Sequence, residues 1–328
     1  MNPVLVELTR GPHVESQHRG AVAVLDADGR VVFAAGDIDT GVFPRSAVKA
    51  LQALALVESG AADRLALSDA ELALACASHG GEPVHVEVAA AMLGKAGREA
   101  ACLECGAHWP MNEAAARALA AHGRMPGPLH NNCSGKHAGF ICLAVDRGED
   151  PAGYVQPCHP TMRAVTAPLA EMTETALHEG NRGIDGCGIP TYAIPLRALA
   201  LAFARFATGR HLSPVRAAAC ARLRAAVAAH PYMVGGAGRF DTELMGELGL
   251  RVFAKGGAEG VHVVALPEAG LGIAIKCDDG AGRAANPLTA ALTARFLGGS
   301  VPAHLLPQPL RNWTGTETGA VRLAGPVA

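Results

Sequence analysis

Residues 43–51 read FPRSAVKAL, and this stretch places Ser46 and Lys49 three residues apart, just after Pro44. Proline is common in the first turn of a helix, because its missing N–H would have no partner there. The pattern predicts a helix over 45–59, with the Ser46 hydroxyl and the Lys49 amine one turn apart on one face. A lysine whose pKa is lowered by burial can remove the proton of a serine hydroxyl, so the pair is a candidate nucleophile and base. The alternative is a solvated lysine on an amphipathic helix.

Lysine is scarce in this chain, which has five lysines among its 28 lysine and arginine residues. Half of the 328 residues are hydrophobic and 18% are charged, as in ordinary globular proteins. A formal net charge of −2 and the lack of a basic run argue against a nucleic-acid or anionic-membrane partner. The first residues lack a signal-peptide pattern, and no apolar run reaches the ~20 residues of a membrane span. The chain has nine cysteines, an odd number. Together with the missing signal-peptide pattern, this number favours reduced thiols and a cytoplasmic location.

Strand-like and helix-like patterns are unevenly distributed along the chain. Residues 20–37 predict two strands around the turn DADG at 26–29, and residues 249–279 predict a three-stranded antiparallel meander. Apolar periodicity predicts helices between them, and a last helix over 286–297 is expected to close the fold. The predicted fold class is α/β (α+β), with an antiparallel sheet from both termini flanked by helices, in a single domain over 1–328 with a helical insertion. The other predicted helices lie near residues 87–97, 112–123, 135–148, 158–178, 192–207 and 213–229.

A second serine and another lysine occur in glycine-rich contexts. The stretch LALACASHGGEP carries Ser78 and His79 just before two glycines, which permit close approach of a substrate to the backbone. Ser78 is a candidate for proton transfer, whereas His79 at a helix end is more often structural than basic. In VFAKGGAEG, Lys255 lies on or just after a strand. In serine acyl-transferases with a Ser-x-x-Lys motif, a late strand with Lys-Thr-Gly lines the site opposite the nucleophile, and this chain has Lys-Gly-Gly.

Residues 129–140, LHNNCSGKHAGF, combine a cysteine, a lysine and a histidine around a predicted helix start. The Gly135-Lys136 pair is not a phosphate-binding loop, because a histidine stands where the first glycine belongs. The helix dipole would lower the pKa of the Cys133 thiol. About fifty residues later, the glycine-rich turn DGCG supplies Asp185 and Cys187. Two thiolates in rigid loops make a zinc site one interpretation, and the alternatives are inert buried cysteines or a cysteine nucleophile with a histidine base.

Taken together, these segments resemble the rhizobial-type L-asparaginases of the asparaginase II family. The resemblance covers nearly the whole chain. It implies a serine β-lactamase/glutaminase-like fold and the hydrolysis of L-asparagine to L-aspartate and ammonia without ATP. The motifs that carry it are FPRSAVKALQAL, ASHGGEP, CGAHWP, HNNCSGKHAGF, DGCGIPTYAIPL, GGAGRFDTELM and AKGGAEG.

The resemblance also implies roles for individual residues. It identifies Ser46 with Lys49 as a nucleophile–base pair, and Ser78 with Lys255 as a second serine–lysine pair. A lysine ligand must lose its proton before its lone pair can bind a metal. On charge and backbone grounds, the substrate is expected to contact Arg45, Gly80, Glu82 and Arg239. The implied zinc ligands are Cys133, Lys136 and Cys187, with Asp185 and His137 beside them.

The predicted reaction is acyl transfer from the asparagine side-chain amide to a serine, with zinc orienting the substrate rather than supplying hydroxide. Which serine attacks is left open by the residues alone. A broader serine amidase or peptidase is the nearest alternative, and a non-enzymatic zinc or redox sensor based on cysteines is the second. The expected partner is the small-molecule substrate, and the resemblance favours a homodimer.

Overall fold

The computed structural model describes residues 1–298 and 301–328. The chain forms twelve strands and twelve helices within these ranges, with short 3₁₀ turns between several of them. The strands are β1 (Val4–Arg10), β2 (His13–Asp26), β3 (Val31–Ala35), β4 (Gly41–Val42), β5 (Arg182–Ile184), β6 (Pro190–Tyr192), β7 (Ile194–Pro195), β8 (Phe253–Gly257), β9 (Val261–Leu266), β10 (Leu271–Cys277), β11 (Pro309–Arg311) and β12 (Glu317–Leu323). The helices are α1 (Lys49–Glu58), α2 (Ala61–Arg64), α3 (Asp69–Ala75), α4 (Pro83–Lys95), α5 (Glu113–Ala121), α6 (Ser134–Asp146), α7 (Pro160–Thr173), α8 (Leu196–Thr208), α9 (Pro214–Ala229), α10 (Pro231–Val234), α11 (Phe240–Leu248) and α12 (Gly282–Leu297).

Two compact units divide the chain. The sheet unit comprises Met1–Ala47, Ala193–His211 and Arg251–Ala328, and the helical unit comprises Val48–Tyr192 and Leu212–Leu250. The single-domain organisation expected from the sequence remains a prediction. No helix in the described parts of the chain combines the length and the apolar character that crossing a membrane requires.

The sheet unit is built on an eight-stranded antiparallel sheet whose order is β11-β12-β1-β2-β10-β9-β8, with β3 also paired to β2. The N-terminal strand β1 therefore lies beside the C-terminal strand β12. All of β9 is buried, and both α8 and α12 pack against β9 and β10. The approach of α8 is close, because a side chain at Gly272 would meet the Ala200 carbonyl at 2.0 Å. The expected fold class, an α+β fold with an antiparallel sheet from both termini, is confirmed.

The helical unit has α6 at its centre. Eleven consecutive residues of this helix, 134–144, are buried, so the helix is enclosed on all sides over this stretch. The helices α1, α3, α4 and α7 pack against it. A helix enclosed in this way holds the side chains of its first turn in a fixed position.

Most predicted elements are observed, and three differ. The hairpin turn at 26–29 and the β8–β9–β10 meander are confirmed. The α-helix expected from residue 45 begins only at Lys49, because Arg45 has φ +52° and a 3₁₀ turn covers Arg45–Val48. The helix expected to reach 178 ends at Thr173, where Glu174 adopts a left-handed conformation. The expectation that the last helix closes the fold is wrong, because β11 and β12 follow it.

Candidate active site

The Lys49 amine is buried in the helical unit and connects three segments of it. Lys49 is the first residue of α1 and is 1% exposed. Its Nζ donates hydrogen bonds to the Ala77 carbonyl at 2.5 Å, to Ser78 Oγ at 2.9 Å and to Cys133 Sγ at 3.1 Å. A lysine ammonium has three N–H donors, and each finds an acceptor here. To act as a base toward a serine, this amine must give up one of those protons.

Ser78 is held by a loop with a dense set of backbone hydrogen bonds. The loop follows α3, and the Ser78 N–H donates to the Val234 carbonyl at 2.9 Å. The His79 N–H donates to the Asn132 carbonyl at 3.1 Å, and the Gly80 carbonyl accepts from the Asn112 N–H at 2.9 Å. Three separate segments therefore fix the backbone of the loop that carries Ser78.

His79 is a structural residue of this loop. It is completely buried, and its Nδ1 accepts a hydrogen bond from the Gly81 N–H at 3.1 Å. The ring proton therefore lies on Nε2, which donates to Ser134 Oγ at 2.9 Å. Desolvation, and then the nearby charges of His85 and Lys49, hold the pKa of His79 well below its usual value. The neutral ring thus links its own loop to the first turn of α6 through two hydrogen bonds. This is the structural role that the sequence favours for His79.

Both glycines after His79 are needed for space. Gly81 has φ +73°, and a side chain on it would lie 2.8 Å from the His130 carbonyl. A side chain on Gly80 would lie 3.0 Å from Glu82 Oε1. Among the described residues, the N–H of Gly80 has no intramolecular acceptor, although the residue is buried. An N–H in this condition can donate to a bound substrate oxygen.

The predicted substrate-binding residues Glu82 and Arg239 differ in their surroundings. Glu82 caps α4, and its carboxylate accepts hydrogen bonds from the Tyr232 hydroxyl and, at 3.1 Å, from the Ala237 N–H. Part of its hydrogen-bonding capacity is therefore already used within the helical unit. Arg239 is exposed just before α11. Tyr232 carries no local sequence signal for this contact, since it lies 150 residues from its partner Glu82.

Ser46 lies in the sheet unit, in the 3₁₀ turn Arg45–Val48. The preceding Arg45 is half-buried and has φ +52°, a left-handed conformation that is costly for a residue with a side chain. The turn packs closely on β8, because a side chain on Gly257 would lie 2.5 Å from the Pro44 carbonyl and 3.2 Å from the Ala47 nitrogen. A strained residue beside a candidate nucleophile is typical of sites that need a fixed geometry.

Lys255 lies on the same strand, two residues before Gly257. Because side chains alternate along a strand, Lys255 lies on the side of β8 that the Ser46 turn contacts. The residue is 1% exposed, and its Nζ donates to the Gly256 carbonyl at 2.6 Å. The sheet unit therefore has a serine and a buried lysine of its own.

Cys133 is the N-cap residue of α6, and its N–H donates to Asn131 Oδ1 at 2.8 Å. Asn131 in turn donates to the Cys105 carbonyl at 2.8 Å, which ties the loop to a distant segment. An asparagine two residues before a helix N-cap is a recognisable turn signal, and it could have indicated this helix start.

Lys136 and Cys187 lie together beside Cys133. The Lys136 side chain is buried in the first turn of α6, and its Nζ lies 3.0 Å from Cys187 Sγ. Cys187 lies in the loop of the β5–β6 hairpin, and a hydrogen bond links its thiol to that of Cys133. The three predicted zinc ligands are therefore neighbours within the helical unit.

The charges of this cluster favour a thiolate. The hydrogen bond with Cys187 lowers the pKa of Cys133 well below its usual value against the cost of burial, and the Lys49 and Lys136 cations act in the same direction. The bond to Cys133, together with burial, raises the pKa of Cys187. Burial works against the charge of Lys136, but its attraction to the sulfurs of Cys187 and Cys133 outweighs burial and raises the pKa of this amine.

The donor set fits zinc only when the lysine is counted. Within residues 1–298 and 301–328, no cluster of three or more His, Cys, Asp or Glu side chains could hold a metal ion. Two thiols and an amine within contact of each other, buried from water, do match the soft and nitrogen ligands that zinc prefers. A metal here would displace the proton of Lys136, which the neighbouring sulfur atoms otherwise favour.

The two residues expected beside the metal have different partners. Asp185 is half-buried, its carboxylate accepts from the Gly186 N–H at 2.8 Å, and its charge contributes to the raised pKa of Lys136. His137 is buried, and its Nδ1 lies 2.6 Å from the Tyr154 hydroxyl. That hydroxyl accepts from the Glu104 N–H at 2.9 Å, so it donates to His137. Burial holds the pKa of His137 well below its usual value.

Comparison with protein-family models gives a match to the family described as L-asparaginase II over residues 6–323. Comparison with curated protein sequences gives no significant match. Among solved structures, the chain is similar to a β-lactamase from Mycobacterium bovis, with 16% identity, 85% of this chain and 95% of that chain covered, and a TM-score of 0.44. It is also similar to a putative β-lactamase from Bacteroides dorei, with 14% identity, 85% of this chain and 93% of that chain covered, and a TM-score of 0.43. For simvastatin synthase from Aspergillus terreus, the identity is 13%, 79% of this chain and 86% of that chain are covered, and the TM-score is 0.41.

Proposed function

The chain belongs to the L-asparaginase II family and is an asparaginase-like amidohydrolase, and from this premise we propose that it hydrolyses L-asparagine to L-aspartate and ammonia through a serine–lysine acyl-enzyme. The observation that carries the proposal is the buried Lys49 amine, 2.9 Å from the Ser78 hydroxyl and three residues after Ser46. A lysine shielded from water is suited to proton transfer with a serine.

In the first half of the reaction, neutral Lys49 takes the proton of Ser46, and Ser46 Oγ bonds to the side-chain amide carbon. The carbon–nitrogen bond then breaks, and the proton held on Lys49 passes to the leaving nitrogen, so that ammonia departs. In the second half, water attacks the β-aspartyl ester and gives its proton to Lys49. Release of aspartate returns the proton to Ser46.

Ser78 relays the proton in both halves. Its hydroxyl accepts a hydrogen bond from Lys49 and can donate its own proton to the leaving nitrogen while taking one from the amine. Lys255 is proposed to align this serine. The opposite assignment, with Ser78 as the nucleophile, remains the alternative that the experiment below separates.

The developing oxyanion needs backbone donors, which we propose are the N–H groups of Ser46 and Gly80. The Gly81 N–H, a donor suggested by the GG motif, already bonds to His79. Gly80 retains an N–H that no described residue accepts. Preorganised donors of this kind stabilise transition-state charge more than ground-state charge.

Zinc is proposed at the cluster of Cys133, Lys136 and Cys187, with Asp185 and His137 beside it. When bound, the ion would act as a Lewis acid that attracts a substrate oxygen and so orients the substrate. The two thiols and the amine supply the ligands, and Tyr154 fixes the ring of His137.

Recognition of the α-amino and α-carboxylate groups is proposed for Glu82, Arg45 and Arg239, which carry the complementary charges. Restriction to asparagine, a homodimeric state and a cytoplasmic location are further parts of the proposal. All nine cysteines are thiols, as a reducing compartment would favour.

The test is ammonia release from L-asparagine by the purified protein and by the variants Ser46→Ala and Ser78→Ala. The proposal expects release from asparagine, much less from glutamine and none from small peptides. It also expects Ser46→Ala to abolish turnover, with Ser78→Ala slower but active. Unchanged turnover in Ser46→Ala would overturn the scheme, and preferential cleavage of peptides would indicate a broader amidase.

A further inference from the structure

A cavity of about 290 Å³ lies in the helical unit. It is bounded by α7, by the loop over residues 174–181 and by the first and last residues of the β5–β6 hairpin. None of its lining residues is a candidate catalytic, substrate-binding or metal-binding residue. Its volume lies at the lower end of the range for small-molecule sites.

The polar lining of this cavity is predominantly cationic. Arg163 on α7 and Arg182 on β5 both line it, and Glu179 is the one acidic residue on its wall. Arg163 forms no ion pair with any described residue. Arg182 approaches Glu179 at 3.5 Å, but this carboxylate is 89% exposed, and such pairs contribute little. Two guanidinium groups therefore remain available to an anion.

Two neutral donors lie beside the arginines. Tyr192 is only 7% exposed and lines the cavity, and its hydroxyl has no hydrogen-bond partner among the described residues. The Nδ1 of His178 accepts from the Gly180 N–H at 3.1 Å, so the neutral ring carries its proton on Nε2 as a free donor. Both groups can donate to the same anion as the guanidinium groups.

The wall formed by the loop is well defined, and most of the remaining lining is apolar. The Asn181 side chain accepts from the His178 N–H at 3.0 Å and donates to the Ala176 carbonyl at 2.9 Å, which fixes the loop on the cavity. Thr166 adds one hydroxyl, and small or aliphatic side chains complete the lining, namely Pro157, Ala167, Ala170 and Leu177. The cavity thus combines donors for a charged head group with room for a few carbon atoms.

We propose that this cavity is a second ligand site, which binds a small organic anion with a carboxylate or phosphate head group and a short apolar body. The head group contacts Arg163, Arg182 and the Tyr192 hydroxyl, because planar guanidinium groups bind both kinds of oxyanion through paired hydrogen bonds. The apolar body lies against Leu177 and the alanines of α7. This site is independent of the proposed reaction, since it shares no residue with it.

Binding of four probes by isothermal titration calorimetry tests the proposal on the full-length protein. The probes are butyrate, butyl phosphate, inorganic phosphate and butanol. We expect saturable binding of butyrate or butyl phosphate, weaker binding of inorganic phosphate and none of butanol. The stronger of the first two probes identifies the head group. No saturable binding of either four-carbon anion up to tens of millimolar would overturn the proposal.

Variants then locate the site. Arg163→Gln and Arg182→Gln should each lower the affinity for the bound probe by ten-fold or more, and Tyr192→Phe by about three-fold, since it removes one neutral hydrogen bond. The control is Arg117→Gln, which removes an exposed charge from α5 of the same unit, away from the cavity lining. Arg163 lies on an exposed helix face, so its variant should fold even if that of Arg182 does not. Equal affinity in Arg163→Gln, or an equal loss in Arg117→Gln, would contradict the assignment.

Discussion

Two serine–lysine sets can be compared, one in each unit, and they are held in different ways. In the helical unit, the Lys49 amine is fixed by side-chain and carbonyl acceptors from two loops distant in sequence, including Ser78 at 2.9 Å. In the sheet unit, the turn that carries Ser46 packs closely against β8, and this contact is possible only because Gly257 has no side chain. The first set therefore depends on the hydrogen bonds of one buried amine, and the second on the fit of two backbones.

The largest expected effect is the loss of the Lys49 amine. Lys49→Met keeps the length and apolar body of the side chain but removes the proposed base, so kcat for asparagine should fall about 10³-fold or more. Lys255→Met in the sheet unit, which removes an aligning residue, should lower kcat less, by about 10²-fold. Ammonia release at saturating asparagine measures both, and circular dichroism checks folding. A larger loss in Lys255→Met would reverse the roles given to the two lysines.

The second largest effect is expected in the sheet unit, at the contact between the Ser46 turn and β8. Gly257→Ala should displace the Ser46 turn from β8, since the added carbon would lie 2.5 Å from a carbonyl oxygen, and activity should fall about 100-fold. Gly94→Ala on α4 is the matched control, because nothing lies within 4 Å of the added carbon. That change should leave activity intact and stabilise the helix by about 1 kcal/mol. Full activity in Gly257→Ala would show that the close packing has no part in positioning Ser46.

The next prediction concerns the proposed zinc ligands, which all lie in the helical unit. Cys187→Ser removes one proposed zinc ligand, so zinc bound per protein chain, measured by plasma emission spectrometry, should fall well below that of the unchanged protein. KM for asparagine should rise about 10- to 100-fold with a smaller change in kcat, as expected for a group that orients substrate. Cys158→Ser, at an exposed thiol, is the control. Equal zinc content in the two variants would exclude this cluster as the metal site.

The smallest predicted effect is on stability and concerns His79. The unfolded chain takes up a proton at this residue near pH 6.5, whereas burial prevents the folded chain from doing so until much lower pH. Stability present above pH 6.5 is therefore lost as the pH falls, by about 1.4 kcal/mol per pH unit for one histidine. Urea unfolding between pH 7.5 and 5 should show a flatter dependence in His79→Gln than in His122→Gln, which alters an exposed histidine. Parallel curves would mean that His79 is charged in the folded protein.

How far the sequence predicts the fold depends on how each strand is buried. The apolar runs of β9 and β10 are enclosed on both faces, and the meander could be predicted from them. In contrast, β12 is half-buried, contains a glycine and has no regular alternation. Its place beside β1 depends on close backbone contact, since a side chain at Gly319 would lie 1.8 Å from the Thr9 carbonyl. No local pattern signals such a strand.

The candidate site could likewise be predicted only in part. Its residues could be named from short motifs and from the family resemblance, because the chemistry restricts which residue types can occur there. The helix that was expected to align Ser46 with Lys49 could not be predicted correctly, since the left-handed Arg45 interrupts it. The hydrogen bond from Lys49 to Ser78 joins residues 29 positions apart and follows from packing of α1 against α3 and α6. Periodicity and spacing carry no information on such contacts.

The central claim is that a serine ester forms during turnover and that Ser46 carries it. Rapid acid quenching of the protein during hydrolysis of asparagine, followed by peptide mapping with mass spectrometry, detects that ester directly. The account predicts a β-aspartyl group on the peptide that contains Ser46, absent from Lys49→Met under the same conditions. An ester on Ser78, or turnover at full rate without any acylated serine, would contradict it.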